Sequence, residues 1–315
     1  MCSGVRFSDD KGNMYFGRNL DWSVGFGQKV LVTARDYKLS SAFLGEQSSK
    51  YALIGMGIVE NGIPLYFDCG NEAGLAVAGL NFPGYAQYEE GPVQGKRNIA
   101  AYEFPLWIAM NYRSVDEAES SLKDIAIVAK PVSEKHPVSM LHWIIGDKDR
   151  SIVVEYTKNG MEVYKDDADV LTNQPGFEWH RENLRNYMNV DSSMPDNVAW
   201  HDAKMKPFGA GSMMRGLPGD YYSTSRFVRA AYHNTHYPVQ STEEENVSRL
   251  FHTLASVAMI DGASRMSDGD YEKTIYTGGF SSATNTYYYN TYEDPGIRSV
   301  RLEDHRIDGG QVTEV

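Results

Sequence analysis

Of the two cysteines in this 315-residue chain, one, Cys2, stands directly behind Met1. Aminopeptidases remove an initiator methionine whose neighbour is small, and cysteine qualifies. The expected product carries a thiol and a free α-amine on one residue. An α-amine titrates at about 7.7–8.0, so near pH 7 part of it is neutral and can take the thiol proton. Nucleophile and general base then arrive as one unit, the logic of an N-terminal nucleophile. Position alone does not establish this, because a small second residue also suits translation and processing without any chemistry.

The residues that follow supply partners. Val5 and Phe7 lead into Asp10-Lys11-Gly12-Asn13, a hairpin turn sequence, and Met14–Trp22 returns as a second strand. A two-residue Lys11-Gly12 loop sets Cys2 opposite Asp21; a longer loop sets it opposite Asn19. Either register brings Arg18 and Asp21 within reach of Cys2. A carboxylate can hold a terminal amine through a charge-assisted hydrogen bond, and a guanidinium beside sulfur favours thiolate. The plain alternative is a surface cross-strand ion pair, worth little.

The elements around this hairpin read as α+β. Strands are expected at Ala52–Val59, Ile63–Asp68 and Gly74–Phe82, the last nearly continuous in apolar residues and so suited to cover on both faces. A helix begins near Pro105, and Ser114 with Glu117 reads as a capping box opening a helix towards Ile127. Further strands are expected at Met140–Ile145, Ser151–Tyr156, Met161–Tyr164 and Asp169–Thr172, then a helix over Phe177–Met188. The Gly-, Met- and Pro-rich stretch Asn189–Thr224 reads as irregular, a candidate substrate-side loop. Helices follow at Arg226–His236 and Thr242–Met259, the second behind a Ser241–Glu244 box, and strands close the chain at Lys273–Gly279, Thr284–Tyr292 and Ile297–Leu302. No linker, repeat or low-complexity tract interrupts this order, so residues 1–315 read as a single domain.

Composition narrows the function. With 42% apolar residues the chain is globular, and 30 Lys and Arg against 42 Asp and Glu leave a net charge of -12. Such a surface repels phosphate, and no basic run exceeds two residues, which argues against nucleic acid and anionic membranes. No window is long and apolar enough for a transmembrane helix, and the start lacks the basic and apolar regions of a signal segment. Two cysteines cannot form a disulfide framework, so a reducing cytoplasm is the expected setting. None of the eight histidines forms HExxH, and no zinc-ligand spacing occurs. Gly55-Met56-Gly57 lacks the third glycine of a dinucleotide loop, and Gly209–Gly216 has no P-loop lysine.

Six segments in order resemble the choloylglycine hydrolase family: Met1–Phe7, Gly17–Trp22, Asn71–Leu75, Gly79–Tyr85, Leu171–Pro175 and Ser225–Phe227. The resemblance spans essentially the whole chain and is nearest to bile salt hydrolases of Gram-positive gut bacteria. It implies a four-layer αββα N-terminal-nucleophile fold, a homotetramer, and no metal or organic cofactor. It implies Cys2 as nucleophile and base, Arg18 and Asp21 as its support, Asn81 and Asn173 as lining of the oxyanion hole, and Arg226 as completing the polar cluster. The chemistry agrees, since a carbonyl turning tetrahedral needs donors where its oxygen charge develops.

The family divides mainly into bile salt hydrolases and penicillin V acylases, the latter typically carrying tyrosine at the position of Asn81. Asparagine there favours conjugated bile salts as substrate, in a bacterial cytoplasm. A steroid needs an apolar site with few polar anchors. Leu20, Trp22, Phe26, Met56, Ile58, Leu65, Phe67 and the segment 128–141 lie in stretches that flank the site in the family, although each also fits a plain core. Cys69 reads as a buried bystander. Two rivals remain: a penicillin V acylase with the same machinery, and a non-catalytic amphiphile-binding protein on the same fold.

Overall fold

Two antiparallel sheets stack between helices in a computed structural model that describes residues 1–315. In the first, a 7-stranded sheet, the order across the sheet is Val170–Leu171, β1 (Cys2–Ser8), β2 (Met14–Trp22), Tyr271–Ser281, Thr286–Thr291 and Arg298–Arg301, with Ser264–Arg265 paired to the Tyr271 strand. The second is 8-stranded: Gly160–Asp166, Ser151–Thr157, Leu141–Gly146, Ala76–Asn81, Ile63–Asn71, Leu53–Glu60, Lys29–Thr33 and Val312–Glu314. Helices α1 (Phe104–Asn111) and α2 (Val115–Leu122) cover the second sheet; α3 (Phe177–Asn183), α4 (Ser223–His236) and α5 (Glu243–Ala255) lie on the side of the first. This is the αββα order that the resemblance implies.

Glycines show which way β1 and β2 face. A Cβ on Gly4 would meet Ile144 and Leu80 of the second sheet, whereas one on Gly17 would strike Gly278 O at 2.7 Å and then Leu250 and Leu254 of α5. Even-numbered residues of the hairpin therefore face the space between the sheets, and odd-numbered ones face the helices. One apolar core, with Phe16, Leu80 and Ile144, fills the inter-sheet space and continues to Leu250 and Leu254 under α5; a second, with Leu106, Trp107 and Trp143, lies under α1.

The hairpin register differs from both expected ones. Asp9 Oδ1 accepts the N–H groups of Lys11 and Asn13, Gly12 turns at φ +81°, and the loop runs from Asp9 to Asn13. Ser8 pairs with Met14, so Cys2 lies opposite Leu20 rather than Asp21 or Asn19.

Other boundaries shift for local reasons. Ser114 does cap α2, accepting from Glu117 N, but the helix stops at Leu122 because Ile125–Val128 is a strand, parallel to Arg97–Ala100. The α5 box is Thr242 with Glu245, one residue later than expected, and the helix ends at Ala255. Helix α3 ends at Asn183 and tightens into a 3-10 turn to Tyr187. Within 189–224 a small hairpin pairs Val198–Trp200 with Ala203–Met205. Polar or short strands escaped the pattern reading: Lys29–Thr33, Lys38–Ser41, Gly45–Ser48 and Val312–Glu314.

Candidate active site

Cys2 is 6% exposed at the start of β1, with its side chain on the inter-sheet face. Arg18 shares that face, diagonal to it across the hairpin, and its Nη2 donates to Cys2 Sγ at 2.7 Å. Asp68, from the second sheet, lies 3.9 Å from Arg18 Nη1 and accepts from Tyr276 OH at 2.5 Å and Tyr287 OH at 2.6 Å. Burial works against the Arg18 charge, but Cys2, Tyr276, Asp68 and Asp21 more than offset it and hold the guanidinium above its ordinary pKa. Burial raises the Asp68 carboxyl, with Arg18 and the two tyrosine donors opposing that rise. Both tyrosines are pushed well up by burial and by Asp68, so they remain O–H donors.

The opposite face holds Asp21. Its Oδ1 accepts from Thr274 Oγ1 at 2.6 Å, while its Oδ2, fully buried, has no partner. A bulge between Thr274 and Tyr276 makes this division possible. Thr274 pairs with Asp21 and Tyr276 with Leu20, so two residues that would share a face are turned to opposite ones. The Met1 ammonium donates to Asp21 O at 2.7 Å and to Glu272 Oε1 at 2.6 Å.

Asn173 and Arg226 approach from the end of the first sheet and from α4. Asn173 Oδ1 accepts from Cys2 N at 2.9 Å and from Arg226 Nη2 at 2.6 Å, and its Nδ2 donates to Asn81 O at 2.6 Å. Arg226 Nη1 donates to Cys2 O and to Ser3 Oγ, both at 2.6 Å. Burial lowers the Arg226 pKa, an effect that Asp21, Cys2 and Glu272 only partly oppose. Asn81 ends its strand opposite Leu141 and meets Asn173 through its carbonyl. The other five polar residues singled out in the sequence, Arg18, Asp21, Asn81, Asn173 and Arg226, thus gather around Cys2.

The apolar residues divide. Trp22, Phe26 and Phe67 form an aromatic row, with ring centroids 6.4 and 5.5 Å apart, and Phe26 is exposed. Ile58 is half-buried beside Phe26 along a shallow groove that also includes Lys135 and His136. Leu20, Met56 and Leu65 are buried, the first two within the inter-sheet core. Cys69 is buried with its thiol pushed well up by burial and by Asp68. Sequence reasoning missed Asp68, Tyr276, Tyr287, Thr274 and Glu272. A lone Asp within the apolar run Ile63–Asn71 was the one available signal; the placement of Thr274 and Tyr276 depends on the bulge, and that of Tyr287 and Glu272 on long-range strand pairing. No three His, Cys, Asp or Glu side chains cluster closely enough to hold a metal ion.

A buried cysteine flanked by two buried arginines, with an orphaned carboxylate oxygen nearby on Asp21, sits at the start of β1 in an αββα fold. The family model for linear amide C–N hydrolases of the choloylglycine hydrolase family matches residues 2–314. A bile salt hydrolase/transferase of Bifidobacterium longum is 54% identical over 316 residues, covering 100% of this chain and 99% of its own. A conjugated bile acid hydrolase of Lactobacillus gasseri is 44% identical over 99% of both chains. The solved structure of a mutant conjugated bile acid hydrolase from Clostridium perfringens superposes with a TM-score of 0.94 at 35% identity, covering 100% of this chain and 96% of that one. The chain belongs to the choloylglycine hydrolase family and is a linear amide C–N hydrolase.

Proposed function

We propose that this chain is a bile salt hydrolase that cleaves the amide joining a bile acid to glycine or taurine, with Cys2 as nucleophile once Met1 is removed. The observation that carries the mechanism is the guanidinium of Arg18 at 2.7 Å from the sulfur, in a site shielded from water. In the processed chain Cys2 N becomes the α-amine. Asn173 Oδ1 already holds that nitrogen, and the unpaired Oδ2 of Asp21 offers it a carboxylate.

The α-amine takes the thiol proton, and the thiolate attacks the amide carbon. A C–S bond forms while the carbonyl electron pair moves onto oxygen, where N–H donors at Asn173 and Asn81 stabilise it. The C–N bond then breaks and the α-ammonium returns its proton to the departing amino acid. Water, deprotonated by the same amine, hydrolyses the thioester. A free amine in place of water would turn this last step into acyl transfer, the second activity in the name of the Bifidobacterium relative. No cofactor takes part in this scheme, and its setting is a bacterial cytoplasm in which both free thiols stay reduced.

The steroid fits the aromatic row Trp22, Phe26 and Phe67 with Ile58, near the Cys2 end of the hairpin. The same reading makes the enzyme a homotetramer. Exposed apolar side chains support it: Trp200 on the small hairpin is 76% exposed, and Met194, Val198 and Phe208 of the same chain segment are exposed too.

The test is release of glycine and taurine from conjugated bile salts by mass-verified processed protein, run beside penicillin V. Full activity in protein that retains Met1 removes the N-terminal-nucleophile mechanism. A higher kcat/KM on penicillin V removes the bile salt assignment and leaves the hydrolase, whereas binding without turnover restores the amphiphile-binder reading.

A further inference from the structure

We propose that His142, backed by Glu155, is a positioning residue that ties together the two asparagine-bearing segments of the site. The proposal rests on the reading of Asn81 and Asn173 given above and names what holds them in place.

His142 lies on the Leu141–Gly146 strand, fully buried, on none of the atoms that meet Cys2. Its Nε2 is 2.9 Å from the carbonyl oxygen of Thr172, the residue before Asn173. Its ring stacks on Phe82, the residue after Asn81, at 4.0 Å between centroids and 7° between planes. One imidazole therefore touches both chain segments that end in the site, within one residue of each asparagine. His180 adds a second buried ring on the same stretch, with Nε2 2.8 Å from Asn173 O.

The partners determine the protons. Thr172 O can only accept, so Nε2 of His142 carries hydrogen. Nδ1 lies 3.1 Å from Glu155 Oε1, which also accepts the Phe177 N–H at 3.0 Å. Glu155 Oε1 thus meets the ring and the start of α3 at once, and the ring lies flat on Phe82. The charged or titratable groups around it are Glu155 on the adjacent strand, His180 on α3 and, beyond it, Arg226 on α4. The Ala76–Asn81 strand brings none. Glu155 also lines a surface cleft with Glu162, Glu178 and Trp179, which gives the carboxylate a route to solvent that the imidazole lacks.

A ring held on both nitrogens cannot rotate without breaking a contact, so it fixes the Thr172 carbonyl and, through it, the direction of the Asn173 side chain. Small displacements at such a point are expensive: a 1 Å misplacement can lower a rate by on the order of 10²-fold.

The decisive variant is Glu155→Gln in the processed full-length enzyme with a conjugated bile salt as substrate. The expected result is a kcat lowered by about 10- to 100-fold with KM little changed. Glu155→Asp should restore part of the rate. A second readout needs no turnover: ¹⁵N NMR of the unmodified protein should show hydrogen on Nε2 of His142, the nitrogen that faces the Thr172 carbonyl. Wild-type kcat in Glu155→Gln, or a His142 ring with no hydrogen on Nε2, overturns the proposal. If Glu155→Gln does not fold, the NMR state decides it alone. If the unmodified enzyme turns over no amide, the hydrolase reading fails, and the protonation of His142 still decides whether the clamp exists.

Discussion

Two arginines flank Cys2, both fully buried, and they differ in almost everything else. Arg18 comes from the inter-sheet face, points a nitrogen at the sulfur, and has Asp68 with its two tyrosine donors behind it. Arg226 comes from the helix layer and donates to neutral oxygens: the Cys2 and Tyr221 carbonyls, Ser3 Oγ and Asn173 Oδ1. Their pKa values accordingly move in opposite directions, Arg18 upward and Arg226 downward. Burial alone would lower both; at Arg18 the Cys2 sulfur, Tyr276, Asp68 and Asp21 more than offset it, whereas at Arg226 Asp21, Cys2 and Glu272 only partly do. In the mechanism proposed above, Arg18 is the electrostatic partner of the Cys2 sulfur. Arg226 is built as a clamp on the backbone that carries the thiol.

That contrast predicts different damage. Arg226→Met strands the Cys2 carbonyl, Ser3 Oγ and Asn173 Oδ1, so it should cost about 3–5 kcal/mol of stability in urea unfolding and abolish turnover. Arg18→Leu should lower turnover by about 10²–10³-fold with a smaller loss of stability, and activity should recover towards alkaline pH, where a thiol ionises unaided. If the two variants lose equal stability and Arg18→Leu keeps its turnover, the division of labour is wrong. Asp68→Asn sharpens the test, since it removes the carboxylate behind Arg18 but leaves the Arg18–Cys2 contact. It should reduce turnover less than Arg18→Leu does and leave KM alone.

His180 gives a stability effect with a defined pH window. Burial lowers its pKa from 6.5 to about 4. Above pH 6.5 the ring is neutral folded or unfolded and contributes no pH dependence. Below that, the unfolded chain takes up a proton that the folded ring refuses, so stability falls until about pH 4, where the folded ring also protonates. Between pH 6.5 and 5 the loss is roughly 2 kcal/mol. His180→Gln, which keeps a donor for the Asn173 carbonyl, should flatten that part of the stability curve; an unchanged slope would place the acid sensitivity elsewhere. The smallest effect belongs to Cys69→Ala. Turnover should stay at the level of the parent, and iodoacetamide inactivation should follow labelling of Cys2 alone.

Much of this was legible before any coordinates. Glycine and turn residues between alternating runs located most strands to within a residue or two, because burial on one face leaves a period that survives in the sequence. The five polar residues around Cys2 were legible for different reasons: Arg18 and Asp21 through their place on the hairpin strand opposite Cys2, and Asn81, Asn173 and Arg226 only through the motifs that resemble the family. Strands that are short or polar, such as Gly45–Ser48, leave no such period and were missed.

What only the tertiary structure decided is register and facing. A loop one residue longer or shorter would turn every side chain of β1 over, and Asp9, through two backbone hydrogen bonds, is what determines its length. Likewise, nothing in Thr274-Ile275-Tyr276 announces a bulge, yet that bulge puts Thr274 on Asp21 and Tyr276 on Asp68. Residue types that can do the chemistry are a property of the chain. Which face each one takes depends on long-range pairing, where one residue of offset reverses the side chains and no local preference opposes it.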